Sequence, residues 1–279
     1  QVAKNFIKKI NTEKFSINLS VTTREQSKAK QFNEIKYNNF IFNDEIFDNG
    51  LIENLKNSDH ILISIPPING KDIVIKYFGE VIKECNPKWI TYLSATSVYG
   101  DHKGEWVNEE SETNPKSTSG IGRLEAEKSW ITFTANSKLP FQIFRLSGIY
   151  SNQKNILVRL KSGNVNLINK KNQFFSRIHV EDIANVLFKS LSNFKTGEIY
   201  NISDDKPASM EEVTLYGVKL LNVDIPKIIE VKDIDSEMLK SFYKDSKKVS
   251  NKKMKSFFDY KLKFPTYVEG LNYIRNNLV

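Results

Sequence analysis

The chain has 279 residues, of which 39 % are hydrophobic and 27 % are charged. This balance is typical of a globular protein, and the length fits one large domain or two modest ones. No apolar run approaches the ~20 residues that span a bilayer, and we recognise no signal peptide, so we expect a cytoplasmic protein with no membrane partner. The single cysteine, Cys85, excludes an internal disulfide, and no clustered ligands indicate a metal site.

The net charge is +8, which is compatible with binding to nucleic acid. The lysines, however, are scattered along the chain among asparagines and isoleucines rather than grouped into one basic stretch. We therefore interpret them as solvated surface residues and expect no nucleic-acid partner.

Strand-like and helix-like segments alternate along the chain. Apolar spacing and runs of β-branched residues predict helices over 1–12, 25–32, 44–57 and 71–85, and strands over 15–24, 38–42, 60–67 and 88–94. Further on they predict helices over 120–136, 181–193, 210–221 and 250–258 and a short final helix, with strands over 141–150, 174–180, 197–203 and 225–231. Ser209 and Glu212 form a predicted capping box. This alternation indicates an α/β fold with a parallel sheet covered on both faces.

The stretch from Trp89 to Trp130 has the layout of a reaction site. A short apolar strand ends in the hydroxyl residues Ser94, Thr96 and Ser97, an acidic loop follows, and a helix comes next. In sheet-based enzymes polar groups collect at such strand ends. We therefore expect the site here.

Five motifs make the chain resemble the extended short-chain dehydrogenase/reductase family, and within it an atypical branch of the NAD-dependent epimerase/dehydratase proteins. They are the Tyr99-Gly100 pair after a strand, FRLSGIY (144–150), SRIHVEDIA (176–184), GEIYNISDD (197–205) and SNKKMK (250–255). The resemblance implies a Rossmann doubly wound parallel sheet with a smaller α/β C-terminal substrate domain. It places the Rossmann domain at 1–150 and 176–204, and the substrate domain at 151–175 and 205–279. A homodimer through the helices at 71–85 and 119–136 follows only by analogy.

The family's glycine fingerprint, G-x-G-x-x-G/A after a first strand, lets the backbone approach a pyrophosphate. Here Gln1-Val2-Ala3 fits the last three positions of such a fingerprint, with Ala3 as its final small residue. We expect that about ten residues, the length of one strand and turn, are missing before Gln1.

Arg24 bears on the choice of cofactor. NAD-preferring members carry an acidic residue after the second strand, whereas this chain has Thr23 and Arg24 there, with Lys28 one turn on. A guanidinium grips a 2′-phosphate bidentately, so the resemblance implies NADP rather than NAD. The alternative is an exposed arginine that begins a helix. Ser64, Ile65 and Pro66 end a strand over which the family's cofactor ribose passes, although the prolines also suffice as strand terminators.

The resemblance maps the usual Ser/Tyr/Lys triad onto residues of other types. The serine position is Ala95, flanked by Ser94 and Thr96; the tyrosine position is Ser119, and the lysine position is Arg123. A serine hydroxyl titrates far above the ~10 of tyrosine, so Ser119 cannot donate a proton near neutral pH. Arg123 can still hold ribose hydroxyls, and Thr96 can orient a substrate if the loop shifts by one residue.

Other acid–base candidates each have a structural alternative. We favour core packing over catalysis for Tyr99, a solvated loop for Glu109 and Glu110, and a ring bonded to nearby backbone for His179.

The substrate candidates are Arg177 and Tyr150. Arg177 either meets an anionic substrate or pairs with a carboxylate such as Asp182, and Tyr150 closes the FRLSGIY motif. The sequence does not identify the substrate, because the divergent segments 151–175 and 205–250 build its pocket.

Two functions follow from the sequence. One is an NADP-dependent oxidoreductase or epimerase with a degenerate triad, acting on a nucleotide-sugar or a small carbonyl compound. The other is a non-catalytic NADP-binding sensor or regulatory protein. The replaced triad leaves both open.

Overall fold

A computed structural model describes residues 1–14, 16–25, 31–32, 35–68, 70–170 and 172–277. The helices are α1 (Val2–Thr12), α2 (Gly50–Lys56), α3 (Ile73–Glu84), α4 (Thr118–Asn136), α5 (Ile156–Lys161), α6 (Val180–Ser190), α7 (Met210–Leu221), α8 (Glu237–Phe242), α9 (Lys252–Phe257) and α10 (Tyr267–Asn276). The strands are β1 (Leu19–Thr23), β2 (Gln31–Phe32), β3 (Ile35–Ile41), β4 (His60–Ile63), β5 (Trp89–Ala95), β6 (Trp106–Val107), β7 (Phe141–Leu146), β8 (Gly148–Tyr150), β9 (Leu167–Asn169), β10 (Arg177–His179), β11 (Glu198–Ile202), β12 (Ile228–Glu230) and β13 (Lys248–Val249). This alternation confirms the predicted α/β class.

The main sheet has the strand order β11-β7-β5-β4, and β4 runs parallel to β5 with His60 opposite Trp89. A second sheet has the order β1-β3-β2, in which β1 and β3 are parallel. Six of the seven residues of β5, and all six of β7, are buried. Strands that are buried on both sides fit the interior of a sheet covered on both faces.

The predicted helix over 25–32 is wrong at its end. Gln31 and Phe32 form β2, which pairs antiparallel with Lys36 and Ile35, so strand pairing decides the conformation instead of helical periodicity. Residues 26–30 of that prediction, Lys28 included, lie outside the described residues.

The predicted strand over 141–150 is divided at Ser147. The Ser147 N–H donates to Ile202 O of β11 (3.0 Å), and the Gly148 N–H donates to Ser176 O (3.0 Å). The chain thus changes partners at this point, and β8 continues parallel to β10. Other boundaries shorten similarly: the helix predicted over 44–57 is α2, and the strand predicted over 60–67 ends at Ile63.

The chain divides into two compact units. The first comprises Gln1–Ser94, Ile121–Phe144 and Ala184–Ile199, and the second comprises Ala95–Gly120, Arg145–Ile183 and Tyr200–Val279. The core of the first unit contains the fully buried Tyr92 and Trp130. Asp72 caps α3 by accepting from Val74 N (2.9 Å) and Ile75 N (3.0 Å), and it also accepts from Trp130 Nε1 (2.8 Å).

In the second unit, α5, α7 and α10 pack around Tyr150 and Leu157. A Cβ on Gly270 would overlap the Tyr150 ring, so α10 approaches this tyrosine closely only with glycine there. The predicted capping box of α7 is half formed. Ser209 Oγ accepts from Glu212 N (2.9 Å), but the Glu212 carboxylate accepts from Tyr267 Oη (2.7 Å) instead. A complete capping box joins Thr266 and Glu269 at α10.

None of the helices that can be described has the length and apolar character to cross a bilayer. Nor do three or more His, Cys, Asp or Glu side chains within the described ranges converge on a point where a metal ion could sit.

Candidate functional site

The first polar group of the candidate cofactor site follows β1. Thr23 Oγ1 lies 2.7 Å from Glu25 O and 3.2 Å from Asn39 Oδ1, so Thr23 holds the turn after the strand. Arg24 is exposed, and no described residue forms a hydrogen bond or ion pair with its guanidinium. Asn43 Nδ2 donates to the Arg24 carbonyl (3.2 Å), which fixes the backbone and leaves the side chain available to a ligand.

The second group follows β4. Ser64 and Pro66 are exposed directly after the strand, while Ile65 between them packs against the core of the first unit. Exposed backbone at the carboxyl end of a parallel strand is where doubly wound folds pass a ligand.

Ser94 lies near the end of β5 and is 3 % exposed. Its Oγ is buried and has no hydrogen-bond partner among the described residues. A buried hydroxyl without a partner costs about 1–3 kcal/mol, which a ligand polar atom would offset. Ser94 therefore fits a nucleotide whose hydroxyl or amide reaches β5.

Arg123 is held beside the same strand. Its Nη1 donates to Leu93 O (2.8 Å) and to Tyr92 Oη (3.2 Å), which leaves its Nε and Nη2 without a partner among the described residues. Burial raises the pKa of Tyr92 to about 12, and the Arg123 charge counters that rise. The side chain keeps donors for ribose hydroxyls but cannot lose a proton.

Ala3 lies exposed in the first turn of α1, and no side chain caps this helix. Open N–H groups at a helix N-terminus suit a phosphate. The predicted cofactor residues all lie in the first unit, and their donors fit a dinucleotide.

A cavity of ≈ 380 Å³ lies within the second unit. One side carries the hydroxyl residues Thr96, Ser97, Ser117 and Ser119. Thr96 begins the 3₁₀ turn after β5, while Ser119 lies in the first turn of α4. Ser117 Oγ accepts from Gly120 N (3.2 Å) and so caps that helix. The structure therefore brings the predicted Thr96 and Ser119 to one cavity.

Tyr99 does not line this cavity. It is fully buried, its Oη donates to Asn201 Oδ1 (2.8 Å), and the Arg145 guanidinium lies 4.8 Å from its ring centroid. Burial raises the pKa of this phenol. The contacts are those of a packing residue.

The sequence predicts that the acidic loop is solvated, and this holds for one of its two glutamates. Glu109 is half buried and accepts from Asn201 N (2.7 Å), so for this residue the solvated reading is wrong. Glu110 is exposed, as expected. A single carboxylate thus fixes the loop against β11.

His179 is bonded to backbone, as one of its two interpretations predicts. It is fully buried, and its Nδ1 accepts from Glu181 N (3.3 Å). Its ring lies 4.1 Å from that of Phe264, and its Nε2 has no partner in the described part of the chain. Burial lowers the pKa of His179 to about 4, so the ring is neutral at physiological pH.

Arg177 lines the cavity, but its guanidinium is engaged. Its Nη1 donates to Phe175 O (2.9 Å) and Ala208 O (2.8 Å). The suggested pairing with Asp182 is wrong, because Asp182 instead accepts from Tyr260 Oη (2.6 Å), Lys263 N (2.7 Å) and Phe264 N (3.1 Å). Of the two carboxylates whose charges act on Arg177, Asp204 has the larger effect and Glu212 the smaller, and Asp204 is itself buried.

Tyr150 also lines the cavity, and its Oη lies 3.4 Å from Thr266 O. Burial raises the pKa of this phenol, and the charge of Asp204 adds to the rise. The two residues predicted to contact substrate are therefore both in the cavity wall.

Sequence reasoning missed Lys247, Tyr243 and Asp245, which also line the cavity. Lys247 Nζ donates to Gly100 O (2.7 Å) and lies 3.7 Å from Asp245 Oδ2. Burial lowers the pKa of this ammonium, although Asp245 opposes that effect. No sequence signal identifies Lys247, because it is one of a lysine pair in a lysine-rich chain and its partner Gly100 is remote along the sequence.

The chain is similar to one protein family and to several solved structures. The family model described as "NAD dependent epimerase/dehydratase family" matches residues 77–203. A solved structure of a functionally unknown conserved protein from Silicibacter pomeroyi is 31 % identical, with 99 % of this chain and 95 % of that chain covered and a TM-score of 0.89. A search of curated proteins finds no match.

More distant structures share the fold. The dTDP-glucose 4,6-dehydratase from Bacillus anthracis in complex with NAD is 17 % identical, with a TM-score of 0.77 over 99 % of this chain and 92 % of that chain. The UDP-glucuronic acid 4-epimerase from Bacillus cereus in complex with NAD is 15 % identical, with a TM-score of 0.78 over 99 % of this chain and 96 % of that chain.

Proposed function

Since this chain belongs to the NAD-dependent epimerase/dehydratase family, we propose that it is an NADP-dependent oxidoreductase or epimerase that works without the Tyr/Lys pair. Its substrate is a carbonyl compound or a sugar whose hydroxyl is oxidised in the reaction. The residues of the first unit hold the nucleotide, and those of the second unit hold the substrate.

The observation that carries the proposal is the orphaned Ser94 hydroxyl beside a fixed Arg123. Ser94 Oγ is buried without a described partner, and the neighbouring Leu93 carbonyl anchors Arg123. Ser94 Oγ and the Nε and Nη2 atoms of Arg123 have no partner among the described residues, so an acceptor and donors are open to a ligand.

The other first-unit residues complete the nucleotide site. Arg24 pairs with a 2′-phosphate, the open first turn of α1 at Ala3 receives the pyrophosphate, and the backbone at Ser64–Pro66 supports the ribose. When bound, the nicotinamide supplies or accepts a hydride. Arg123 orients the ribose through Nε and Nη2.

In the second unit, Thr96 and Ser119 orient the substrate oxygen by hydrogen bonding. Ser119 cannot supply the proton, so another group of the cavity must do so. Burial raises the pKa of Tyr243 to about 12 and also raises that of Tyr150, whereas it lowers the pKa of Lys247. Of these three lining groups, only Lys247 has a pKa shifted towards neutral pH, so we assign the proton transfer to it.

Because the triad positions are replaced, a second function is also supported, that of a non-catalytic NADP-binding sensor. In that case Arg123 holds the nucleotide, and no acid–base chemistry follows. Both functions require cofactor binding, so turnover distinguishes them.

To test the proposal, the protein is incubated with NADPH or NADP⁺ and a panel of carbonyl compounds and nucleotide-sugars. Nicotinamide absorbance and product mass are measured. An enzyme gives turnover that Lys247→Met reduces at least tenfold, while Lys244→Met, an exposed neighbour outside the cavity lining, has no effect. Cofactor binding without turnover across the panel would support the sensor.

A further inference from the structure

The cations that line the cavity differ in their availability to a ligand. Arg177 Nη1 donates hydrogen bonds to two backbone carbonyls. Its Nη2 lies 3.5 Å from Ser209 O and 3.2 Å from Met210 Sδ. Lys247 is engaged by Gly100 O and Asp245. These two buried cations therefore belong to the wall, and moving either one would leave buried backbone carbonyls unpaired.

Two further cations lie at the rim. Lys154 and Arg159 are exposed lining residues, and Arg159 Nε and Nη2 both donate to the Asn164 carbonyl at 3.4 Å, which is their only partner among the described residues. Arg159 and Tyr243 both line the cavity, and the charge of Arg159 opposes the burial-induced rise in the pKa of Tyr243. The rim thus offers two exposed cations to a ligand of a cavity that is also lined by an aromatic ring.

The remaining wall is largely apolar and aromatic. Its rings belong to Phe174, Phe175, Tyr243 and Tyr267, with Phe242 at the rim. Aliphatic contacts come from Ile149, Ile156, Val213 and Leu271. At ≈ 380 Å³ the cavity is near the lower end of the ~300–1,000 Å³ of small-molecule sites. Such a wall favours a compact apolar body, and the hydroxyl groups are concentrated on the other side of the cavity.

We propose that this cavity binds a small carbonyl compound with a ring-sized apolar body and one carboxylate, rather than a nucleoside diphosphate sugar. The carboxylate pairs with Arg159 at the rim, the ring packs against Tyr243 and Phe242, and the carbonyl oxygen meets the hydroxyls of Thr96 and Ser119. The cavity volume of ≈ 380 Å³ and its aromatic lining favour this compact body. This inference rests on the proposed function and narrows its substrate.

Calorimetric titration of the protein with phenylpyruvate, its methyl ester and UDP-glucose tests the inference, because it needs no turnover. We expect phenylpyruvate to bind at least tenfold more tightly than UDP-glucose. Arg159→Gln is expected to weaken phenylpyruvate about tenfold and to leave the neutral ester unchanged. Lys161→Gln, an exposed residue of the same helix α5 that does not line the cavity, serves as the matched control. Phe242→Ala should weaken both aromatic probes.

The inference is overturned if UDP-glucose binds as tightly as phenylpyruvate, if phenylpyruvate does not bind, or if Arg159→Gln weakens the ester as much as the acid. A parallel titration with NADPH separates this failure from that of the proposed function. NADPH binding combined with preferred UDP-glucose binding rejects only the substrate class, while phenylpyruvate binding without NADPH binding rejects the cofactor assignment.

Discussion

Arg24 is the residue on which the proposed cofactor preference depends. Its guanidinium is exposed and has no partner among the described residues, so its removal disturbs little else. We expect Arg24→Ala to weaken NADPH binding about tenfold, or about 1.4 kcal/mol, and to leave NADH binding unchanged. Fluorescence titration with both nucleotides measures the ratio. Lys36→Ala, an exposed cation on β3, should change neither affinity. Equal losses for the two nucleotides would refute a contact with the 2′-phosphate.

His179 makes the stability of the fold depend on pH. Burial lowers its pKa to about 4 in the folded state, against ~6.5 when unfolded. The folded state therefore disfavours the charged ring, and stability is full above the unfolded pKa and is lost as pH falls towards the folded value. Linkage gives a loss of about 2 kcal/mol of unfolding free energy between pH 7 and pH 5 from this group.

Denaturant unfolding at the two pH values measures that loss. His179→Phe fits among Tyr150, Phe264 and Tyr273 and should reduce the difference by about 2 kcal/mol. Phe258→Leu, a buried ring elsewhere in the second unit, should lower stability equally at both pH values. A pH slope that survives His179→Phe would show that other groups cause it.

Some residues of the candidate site could be predicted from the sequence. Thr96, Ser119, Arg177 and Tyr150 were predicted from motifs, and all four line one cavity. Lys247 and Tyr243 were not found, because they reach the cavity through tertiary folding of a segment that carries no motif. The suggested Arg177–Asp182 pair failed for a related reason: closeness in sequence did not show that Asp182 would bind the backbone at Lys263 and Phe264.

Asp72 shows how one side chain can join two elements. It caps α3 and also accepts from the buried Trp130 Nε1 of α4. Asp72→Ala leaves two helix N–H groups and one indole N–H unpaired, so we expect a loss of about 3 kcal/mol from the cap and the buried donor together. Thr266→Ala removes only a cap, and we expect about 1 kcal/mol.

Denaturant unfolding of both variants checks this difference. In an Asp72→Ala background, Trp130→Phe should cost less than it does alone, because the two side chains share one hydrogen bond. Equal losses for Asp72→Ala and Thr266→Ala would mean that the bond between α3 and α4 contributes nothing.

Elements with strong local patterns were predictable, and those set by pairing were not. The helices α3 and α7 follow apolar spacing and, like α4, begin and end within two residues of prediction. In contrast, β2 forms from residues with a helical pattern because Phe32 pairs with Ile35. Likewise the break at Ser147 depends on acceptors at Ile202 and Ser176, which lie far along the chain. Strand boundaries of this kind can be predicted only once the position of the partner strand is known.

In the molecule as a whole, the residues proposed for the nucleotide and those proposed for the substrate lie in different units. The residues proposed for the nucleotide, from Ala3 to Arg123, all belong to the first unit. Thr96, Ser119, Tyr150 and Arg177, proposed for the substrate, all belong to the second. The sequence order alone does not separate them, because each unit is assembled from three stretches of chain. This division supports separate tests of cofactor and substrate binding.

The central claim is that the first unit binds NADP. Equilibrium fluorescence titration of the protein with NADPH and with NADH tests it most directly, without any assumption about the substrate. We expect saturable binding of NADPH that is at least tenfold tighter than that of NADH. Absence of NADPH binding, or NADH binding of equal strength, would contradict it.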